Sequence, residues 1–270
     1  MENPAAICAP DLTIEIGGVP IRLRTNDFAY FRMLQDRYAG FVNASSLPAL
    51  ELEINLTRPV PVVSEEQVRV TNHAGQWAIE RSDFQCGLDL AAGQGWIRQP
   101  AHPYATDCVI RILHTLLLAG EGGFLLHSAS ALRNGRAHFF FGQSGAGKST
   151  ILRMAPPDVT LLTDEVSYLR RAGEKFVAHG TPFTGDLDRP GDNVSAPVSA
   201  LYNLVQGREN RIEPMPSAEA AHALLVSILF FADDPELVEQ IFHSACELVA
   251  RIPVHRLTFL PDARVWELIA

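Results

Sequence analysis

The 270-residue sequence has few cysteines, and none of them forms a pattern that metal or redox chemistry commonly uses. Its four cysteines are far apart and include no C-x-x-C pair: Cys8, Cys86, Cys108 and Cys246. This spacing predicts neither a zinc site nor a disulfide framework. Free thiols are typical of a reducing compartment, so we expect a cytoplasmic protein.

Long apolar runs are also absent. The longest, Leu224 to Ala232, is interrupted by Ser227 and is far shorter than the roughly 20 residues that a membrane-spanning helix needs. The first dozen residues include Glu2 and Asp11 and have neither a basic start nor a continuous apolar stretch, unlike a secretory signal. We therefore expect no membrane partner.

Basic residues are scarce and scattered. The 22 Lys and Arg residues against 31 Asp and Glu residues give a formal net charge of −9, and no basic run suggests a surface that follows a phosphate backbone. We therefore expect no nucleic-acid partner. The proportions of hydrophobic residues (47%) and charged residues (20%) are those of a globular protein, and the length allows one large domain or two smaller ones.

The first hundred residues predict a small α+β unit. Apolar and polar residues alternate from Leu12 to Arg24 around Gly17 and Gly18, which predicts a β-hairpin. Asp27 precedes an apolar stripe at helical spacing, which predicts a helix with this residue as its N-cap. Further strand-like segments, separated by Gly, Asn and Pro, predict an antiparallel meander: Leu50 to Leu56, Val68 to Thr71, Trp77 to Glu80 and Cys86 to Leu90.

A buried helix is expected from Thr106 to Leu118, because most of its positions are apolar. We place the domain boundary in this region, which gives an N-terminal α+β unit over residues 1–105 and a second domain over residues 106–270. In the second domain, Ala137 to Phe141 and Val159 to Leu162 are short continuous apolar runs, typical of strands that are covered on both faces.

The end of the chain carries two further patterns. Asp234-Pro235-Glu236 supplies an N-cap, a proline at the first helical position and an early acidic residue, which together predict an amphipathic helix. The last two apolar segments, His255 to Phe259 and Arg264 to Ile269, predict a final hairpin.

One motif in the second domain predicts chemistry. A G-x-x-x-x-G-K-S/T sequence lies between an apolar strand and a helix start, where a phosphate-binding loop requires it. Its glycines allow the backbone to curl so that N–H groups bind a polyphosphate, Lys148 would reach the β- and γ-phosphates, and the Ser149 hydroxyl would bind Mg²⁺. The motif residues are Gly142, Gln143, Ser144, Gly145, Ala146, Gly147, Lys148, Ser149 and Thr150.

Two carboxylates follow the next buried strand. Residues 159–163 run directly into Asp164 and Glu165. Asp164 would hold Mg²⁺ directly or through water, and Glu165 would take a proton from an attacking hydroxyl or water. Because adjacent strand residues face opposite ways, the alternative is that Glu165 only begins a turn facing solvent.

Two histidines and a long loop complete the candidates. His127 lies in a strand-like segment that would run beside the strand of the motif, and its side chain would face the phosphates or form hydrogen bonds in the core. His179 opens a long loop that contains Asp186, Asp188 and Asp192. Such a loop is either an active-site lid or a linker, and its aspartates would bring a second cation, shape an acceptor pocket or lie in solvent.

The order of these segments resembles a known family. His127-Ser128, the strand and motif up to Thr150, and the segment from Leu161 to Val166 are together similar to the catalytic domain of the HPr kinase/phosphorylase family. The resemblance covers roughly residues 122–270 and is strongest to stand-alone HPr-kinase-like proteins of peptide-modification and biosynthetic clusters. It implies an α/β fold with a P-loop kinase core, shared with ATP-dependent phosphoenolpyruvate carboxykinases, and phosphate transfer to a serine hydroxyl.

The resemblance also implies roles for individual residues. The family's histidine before the P-loop strand corresponds to His127, its P-loop lysine to Lys148, its magnesium-binding hydroxyl to Ser149, and its paired aspartates to Asp164 and Glu165. The resemblance would give His127 the task of contacting the transferring phosphate or tuning the base.

The sequence departs from that family at several places. The pair Asp164-Glu165 replaces two aspartates and is also found in nucleotide hydrolases. The family's later glycine-rich signature has no clear counterpart, so the second metal ligand is unassigned. Arg208 and Arg211 are candidates for a catalytic arginine, with surface arginines as the alternative. The N-terminal hundred residues do not resemble the family's regulatory domain, and the sequence does not support phosphorylase activity.

We therefore expect an ATP- and Mg²⁺-dependent kinase that acts on a hydroxyl of a peptide, a small protein or a metabolite. Which of Asp164 and Glu165 is the base stays open, as does the acceptor. One alternative is a nucleotide-dependent switch, in which the N-terminal unit binds a partner, Glu165 activates water, and ATP binding or slow hydrolysis resets the partner binding. Another is carboxykinase-like chemistry on a small organic acid, which would need an arginine-lined pocket that the sequence does not indicate. Members of the resembled family form hexamers, which leaves a homo-oligomer open.

Overall fold

The computed structural model describes residues 10–59 and 66–269. Contacts divide the chain into two units, Met1–Arg111 and Ile112–Ala270, which form a mixed α/β protein with two sheets. Cys8 and most of the segment in which no secretory signal was expected lie outside the described residues. Within them, none of the helices combines the length and the apolar composition that crossing a bilayer requires.

The first unit begins with the predicted hairpin. Strands β1 (Asp11–Ile16) and β2 (Val19–Thr25) pair in antiparallel register, and Gly17 and Gly18 both have positive φ in the turn between them, a conformation that glycine adopts without strain. Helix α1 (Phe28–Arg37) begins at Asp27, whose carboxylate accepts a hydrogen bond of 2.8 Å from the Tyr30 amide. The hairpin and the N-cap were therefore predicted correctly.

The other described strands of this unit are β3 (Leu50–Leu56), β4 (Arg69–His73), β5 (Gln76–Arg81), β6 (Phe84–Asp89) and β7 (Gln94–Gln99). They join the hairpin in the order β1-β2-β3-β7-β6-β5-β4. The predicted antiparallel meander is correct for β4 to β6 and wrong for β3, which is parallel to β2 and β7. The alternation of apolar and polar residues records which face is buried, but not the direction of the neighbouring strand.

Helix α2 (Pro103–Gly120) contains the point at which the two units divide. The helix predicted from Thr106 to Leu118 is therefore correct and extends slightly at both ends. Its residues Val109, Ile110, Ile112 and Leu113 are fully buried, as the run of apolar positions indicates.

The described strands of the second unit are β8 (Phe124–Arg133), β9 (Arg136–Phe141), β10 (Thr160–Thr163), β11 (Val166–Ala172), β12 (Lys175–His179), β13 (Ser195–Gln206), β14 (Arg211–Pro214), β15 (Ile228–Leu229) and β16 (Val254–Phe259). Their helices are α3 (Lys148–Arg153), α4 (Ser217–Ser227) and α5 (Pro235–Arg251). Helix α5 begins at the predicted N-cap, where the Asp234 carboxylate accepts the amides of Glu236 and Leu237.

Strand β9 leads directly into the loop that carries the G-x-x-x-x-G-K-S/T motif. It lies between β8, to which it is antiparallel, and β13, to which it is parallel, and Ala137 to Phe141 are all buried, as the continuous apolar run predicted. Strand β13 is in turn parallel to β16. Since parallel strands end at the same edge of a sheet, the carboxyl ends of these three strands lie side by side.

The predicted final hairpin is wrong in its second half. His255 to Phe259 lies in β16, but the following segment forms a 3-10 helix, Ala263–Glu267. The Asp262 carboxylate accepts the Arg264 amide at 3.0 Å and starts the helical turn. Trp266 is buried and donates its indole N–H to the Ile151 carbonyl of α3 at 2.9 Å. The apolar residues of this segment therefore pack against a helix rather than pairing as a strand.

Candidate functional site

The loop from Gly142 to Gly147, here called the glycine loop, connects β9 to α3. Gly142, Gly145 and Gly147 have φ angles of 147°, 78° and 105°, values that residues with a side chain rarely adopt. A Cβ at position 147 would also lie 2.5 Å from a ring carbon of Phe259. The glycine spacing of the motif therefore encodes the curled path of the loop.

Lys148 is the first residue of α3, and its side chain is buried. It is 8% exposed, and its Nζ donates to the Gly142 carbonyl at 3.4 Å. Burial lowers the pKa of Lys148 from its ordinary value, and the nearby carboxylates of Glu165 and Asp186 partly oppose this shift. The lysine ammonium therefore lies against the glycine loop and close to two acidic groups.

Ser149, the next residue, contacts the loop of residues 180–194 between β12 and β13. Its hydroxyl and the Asp186 Oδ2 are joined by a hydrogen bond of 3.1 Å. Arg153, one turn further along α3, donates to the Asp186 carbonyl at 3.1 Å. Helix α3 thus holds Asp186 by its side chain, through Ser149, and by its backbone, through Arg153.

Asp164 follows β10 and is 1% exposed. Its Oδ1 accepts the Gly185 amide and its Oδ2 accepts the Leu187 amide, each at 2.8 Å. These two residues flank Asp186. Asp164 therefore uses both carboxylate oxygens to fix the backbone that presents Asp186 to Ser149. That Asp164 also holds Mg²⁺, directly or through water, stays a prediction.

Glu165 and His127 form the exposed part of the site. The His127 Nδ1 lies 3.8 Å from the Glu165 Oε1, and the two side chains are 40% and 33% exposed. His127 lies on β8, directly opposite Val166 of β11, and β8 runs beside β9 as expected. A Cβ at Gly185 would lie 2.9 Å from the Glu165 Oε2 and 3.0 Å from the Asp164 Oδ2. The absence of a side chain at this glycine leaves room for both carboxylates.

Several sequence candidates lie elsewhere. The His179 ring packs edge-on against Tyr168 at 5.5 Å, and burial lowers the pKa of His179 to about 4, which is typical of a core residue. Asp192 pairs with Arg189 at 3.7 Å on an exposed part of its loop. Arg211 makes exposed ion pairs with Glu209 and Glu213, in keeping with the surface alternative.

The sequence leaves the role of Asp186 open, and none of its motifs points to Arg153 or Gln206. Gln206, at the end of β13, donates its side-chain amide to the Gly145 carbonyl at 2.8 Å and so supports the glycine loop from outside. The spacing of Arg153 from Lys148, little more than one helical turn, could have indicated a second cation on α3. The contacts of Asp186 and Gln206 depend on long-range pairing that the sequence does not reveal.

A cavity of about 730 Å³ adjoins the glycine loop. Its wall combines residues 142–146 of that loop, the end of β13 from Asn203 to Gln206, the α4 residues His222 and Val226, and His127. All of these belong to the second unit.

Comparison with known proteins places the chain in a family. The sequence model described as "SynChlorMet cassette protein ScmC" matches residues 106–270, which is more than half of the chain and includes every residue of the site. The chain belongs to the ScmC family. No curated protein matches this ScmC sequence.

Among solved structures, the HPr(Ser) kinase/phosphatase from Coxiella burnetii aligns with a TM-score of 0.30 and 13% identity. The alignment covers 54% of the ScmC chain and 85% of the other chain. A likeness at this level carries no argument about activity, which has to come from the site itself.

The oxygen groups at α3 of this ScmC protein suit a magnesium ion. Ser149 and Asp186 offer a hydroxyl and a carboxylate within hydrogen-bond distance of each other, and both are hard oxygen donors of the kind that Mg²⁺ prefers. Within residues 10–59 and 66–269, no cluster of three or more His, Cys, Asp or Glu could hold a metal ion. The donor set therefore fits an ion that takes its remaining ligands from phosphate and water.

Proposed function

We propose that this protein is an ATP- and Mg²⁺-dependent kinase that transfers the terminal phosphate of ATP to a hydroxyl of a peptide, a small protein or a metabolite. The observation that carries the proposal is the glycine loop between β9 and α3, with a buried lysine and the hydroxyl–carboxylate pair Ser149–Asp186 at its helical end. This combination of a curled backbone, an ammonium group and oxygen ligands is what a bound nucleoside triphosphate requires.

The glycine loop and Lys148 would bind the phosphates. The positive φ angles at Gly142, Gly145 and Gly147 curl the backbone of the loop, so that successive N–H groups can point to an anion. Lys148 is desolvated, which strengthens its attraction for phosphate, because the surrounding dielectric is lower than that of water. A bound polyphosphate would in return favour its charged form.

Ser149 and Asp186 would hold the magnesium ion. When bound, Mg²⁺ neutralises charge on the terminal phosphates of a nucleotide. Asp164 would act indirectly, since its two hydrogen bonds to Gly185 and Leu187 fix the position of Asp186. Arg153 would hold the same residue through its carbonyl.

Glu165 would accept the proton of the attacking hydroxyl. Its carboxylate is a third exposed, whereas Asp164 is buried and both of its oxygens are engaged by amides. His127, 3.8 Å from Glu165, would orient the Glu165 carboxylate or contact the transferred phosphate. This division of roles favours Glu165 as the base over Asp164.

We further infer that residues 106–270 are a catalytic domain of the HPr kinase type. The support for this finer assignment is the sequence resemblance at His127, the glycine loop and the Asp164-Glu165 pair. Two features differ from that family's pattern or are additional to it: a glutamate stands at the second position of the acidic pair, and Ser149 contacts Asp186.

The proposal is tested by nucleotide binding and by phosphate transfer. Lys148→Ala should weaken the binding of a fluorescent ATP analogue with Mg²⁺ by at least about tenfold, equivalent to ~1.4 kcal/mol, and abolish transfer from radiolabelled ATP. Lys175→Ala, which removes an exposed lysine of β12, is the matched control and should leave both unchanged.

Two results would contradict the kinase. One is the absence of MgATP binding to the unaltered protein. The other is steady phosphate release at the same rate with and without hydroxyl acceptors, which would instead support the nucleotide-dependent switch.

A further inference from the structure

The cavity beside the glycine loop extends from that loop to β13 and α4. Its wall includes the first residues of the loop, Gly142 to Ala146, and His127. Ser149 and Arg153, which lie further along the chain and hold Asp186, are not part of that wall. Since His127 is 3.8 Å from Glu165, the His127 side of the cavity lies close to the carboxylate to which the proposed function gives the proton.

The cavity carries no fixed charge. None of its lining residues is Asp, Glu, Lys or Arg, although 20% of the chain is charged. Phosphate that binds the amides of the glycine loop is the exception, but a charged group placed against β13 and α4 would lose solvent without gaining a partner of opposite sign, which is unfavourable. The composition of this part of the wall therefore disfavours acceptors that bring carboxylate or ammonium groups beside the nucleotide.

The wall also offers apolar surface and unpaired polar groups. Val205 of β13 is 39% exposed and Val226 of α4 is 75% exposed, so each presents apolar area that a ligand could cover. Within the described part of the chain, the side chains of Asn203 and His222 have no hydrogen-bond partner. Apolar walls with a few free polar groups are typical of small-molecule sites.

We propose that this cavity binds the phosphoryl acceptor and selects an uncharged alcohol with an apolar body, such as a serine flanked by uncharged residues or a small neutral alcohol. The proposal rests on the kinase function proposed above. Val205 and Val226 would cover the apolar body, and Asn203 and His222 would hydrogen-bond its uncharged polar groups.

The transfer step in this arrangement is balanced. The acceptor oxygen forms a bond to the terminal phosphorus of ATP, and the bond from that phosphorus to the bridging oxygen breaks, so that ADP leaves with the electron pair. The hydroxyl proton passes to the Glu165 carboxylate. The products are a phosphate monoester, ADP and a proton that Glu165 returns to solvent.

The test compares acceptors whose serine is flanked by uncharged, acidic or basic residues. Short acetylated and amidated peptides with a central serine, flanked by alanine and valine, by aspartate and glutamate, or by lysine and arginine, are offered with radiolabelled ATP and Mg²⁺. N-acetylserine amide tests whether a small neutral alcohol, without a flanking peptide, is also an acceptor. We expect kcat/KM for the uncharged peptide or the free alcohol to exceed that for both charged peptides by about tenfold or more.

Variants of Val226 locate the selection in the cavity. Val226→Glu and Val226→Lys should each lower kcat/KM for the uncharged acceptor by about tenfold without changing MgATP binding, and Val226→Lys should raise it for the acidic peptide. The matched controls are Val238→Glu and Val238→Lys, because Val238 is also a helical valine, 49% exposed, on α5 outside the cavity. The controls should leave acceptor preference unchanged.

The proposal is overturned if a charged peptide is the best acceptor, if no uncharged acceptor is phosphorylated although MgATP binds, or if the Val226 and Val238 variants behave alike. Failure of MgATP binding itself would contradict the proposed function instead. In that case methyl NMR still decides whether the cavity takes the uncharged peptide. Shifts of the Val205 and Val226 methyl signals, with none at Val238, support cavity binding, and unchanged signals rule it out.

Discussion

The Asp164 carboxylate has two buried oxygens and two backbone amides to satisfy, at Gly185 and Leu187. A carboxylate can accept both hydrogen bonds, whereas a carboxamide has only one accepting atom. Because the two amides flank Asp186, the geometry of Asp164 controls where the Asp186 side chain lies relative to Ser149.

Substitutions of the two aspartates should therefore have different effects. Asp164→Asn should reduce the free energy of unfolding by about 1–3 kcal/mol, because one buried amide loses its acceptor, and should also weaken the Mg²⁺ dependence of ATP binding. Asp186→Asn, at an exposed position, should weaken that Mg²⁺ dependence with little change in stability. Urea unfolding and Mg²⁺ titrations of ATP binding measure the two effects, and equal stability losses in both variants would contradict the assignment.

Glu165→Gln should reduce phosphate transfer by about 10²- to 10⁴-fold, the usual contribution of a general base, and leave MgATP binding unchanged. The carboxamide keeps the size of the side chain but cannot take a proton at neutral pH. Single-turnover transfer from labelled ATP measures the loss, with Glu174→Gln on an exposed turn as the control. Retained transfer in this variant, together with loss in Asp164→Asn at saturating Mg²⁺, would make Asp164 the base.

The glycine loop depends on both backbone conformation and close packing. Gly145 and Gly147 have positive φ, but only Gly147 faces a neighbour: a Cβ there would lie 2.5 Å from the Phe259 ring, while nothing lies within 4 Å at position 145. Gly135, in the turn between β8 and β9, also has a positive φ and open space. Substitutions at these three glycines therefore separate the cost of backbone strain from the cost of a steric clash with Phe259.

We expect Gly147→Ala to lose more stability and more ATP affinity than Gly145→Ala. Alanine at positions 135 and 145 carries only the conformational cost of about 1 kcal/mol, whereas alanine at 147 also displaces Phe259 or the start of α3. Thermal unfolding and ATP titration of the three variants test this order. A Gly147→Ala protein as stable as the Gly135→Ala protein would show that the packing tolerates a methyl group.

The elements differ in how well the sequence predicts them. The hairpin of β1 and β2, the Asp27 and Asp234 caps and the curled glycine loop rest on local signals, namely turn glycines, capping carboxylates and required φ angles. The parallel pairing of β3 and the 3-10 helix after Asp262 depend on tertiary neighbours. Strand β7 was also missed, because Gly95 and the polar residues around it obscure the alternation.

The same distinction applies to the site. The motif placed Lys148 and Ser149 because both follow the glycines directly in sequence. The partner of Ser149 could not be predicted, because Asp186 reaches it only through the path of the 180–194 loop. That path is fixed by hydrogen bonds such as Thr181 N–H to the Leu162 carbonyl. The cavity combines four distant segments and leaves no local pattern in the sequence.

Buried histidines should make the stability of the whole molecule depend on pH. Burial lowers the pKa of His114 to about 3 and the pKa values of His138 and His179 to about 4, from an ordinary value of 6.5. These rings stay neutral in the folded protein at pH values at which the unfolded chain binds protons. Their contribution to stability is therefore complete above pH 6.5 and is lost as the pH falls from 6.5 towards 4.

We expect the free energy of unfolding to fall by up to about 1.4 kcal/mol per pH unit for each histidine in this window. His138→Phe should make the dependence shallower, because both ring nitrogens of His138 are buried without a hydrogen-bond partner in the described residues. Urea unfolding between pH 7 and pH 5 measures the slope, with the exposed His73→Gln as the control. An unchanged slope in His138→Phe would show that this ring binds protons equally well in the folded and the unfolded protein.

The hydrogen bond from Trp266 to Ile151 joins residues 115 positions apart. During translation, α3 leaves the ribosome long before the indole that anchors it has been made. A nascent chain would therefore carry the complete phosphate motif while the helix behind it still lacks its support. The nucleotide binding proposed here should consequently begin only after the segment containing Trp266 has emerged from the exit tunnel.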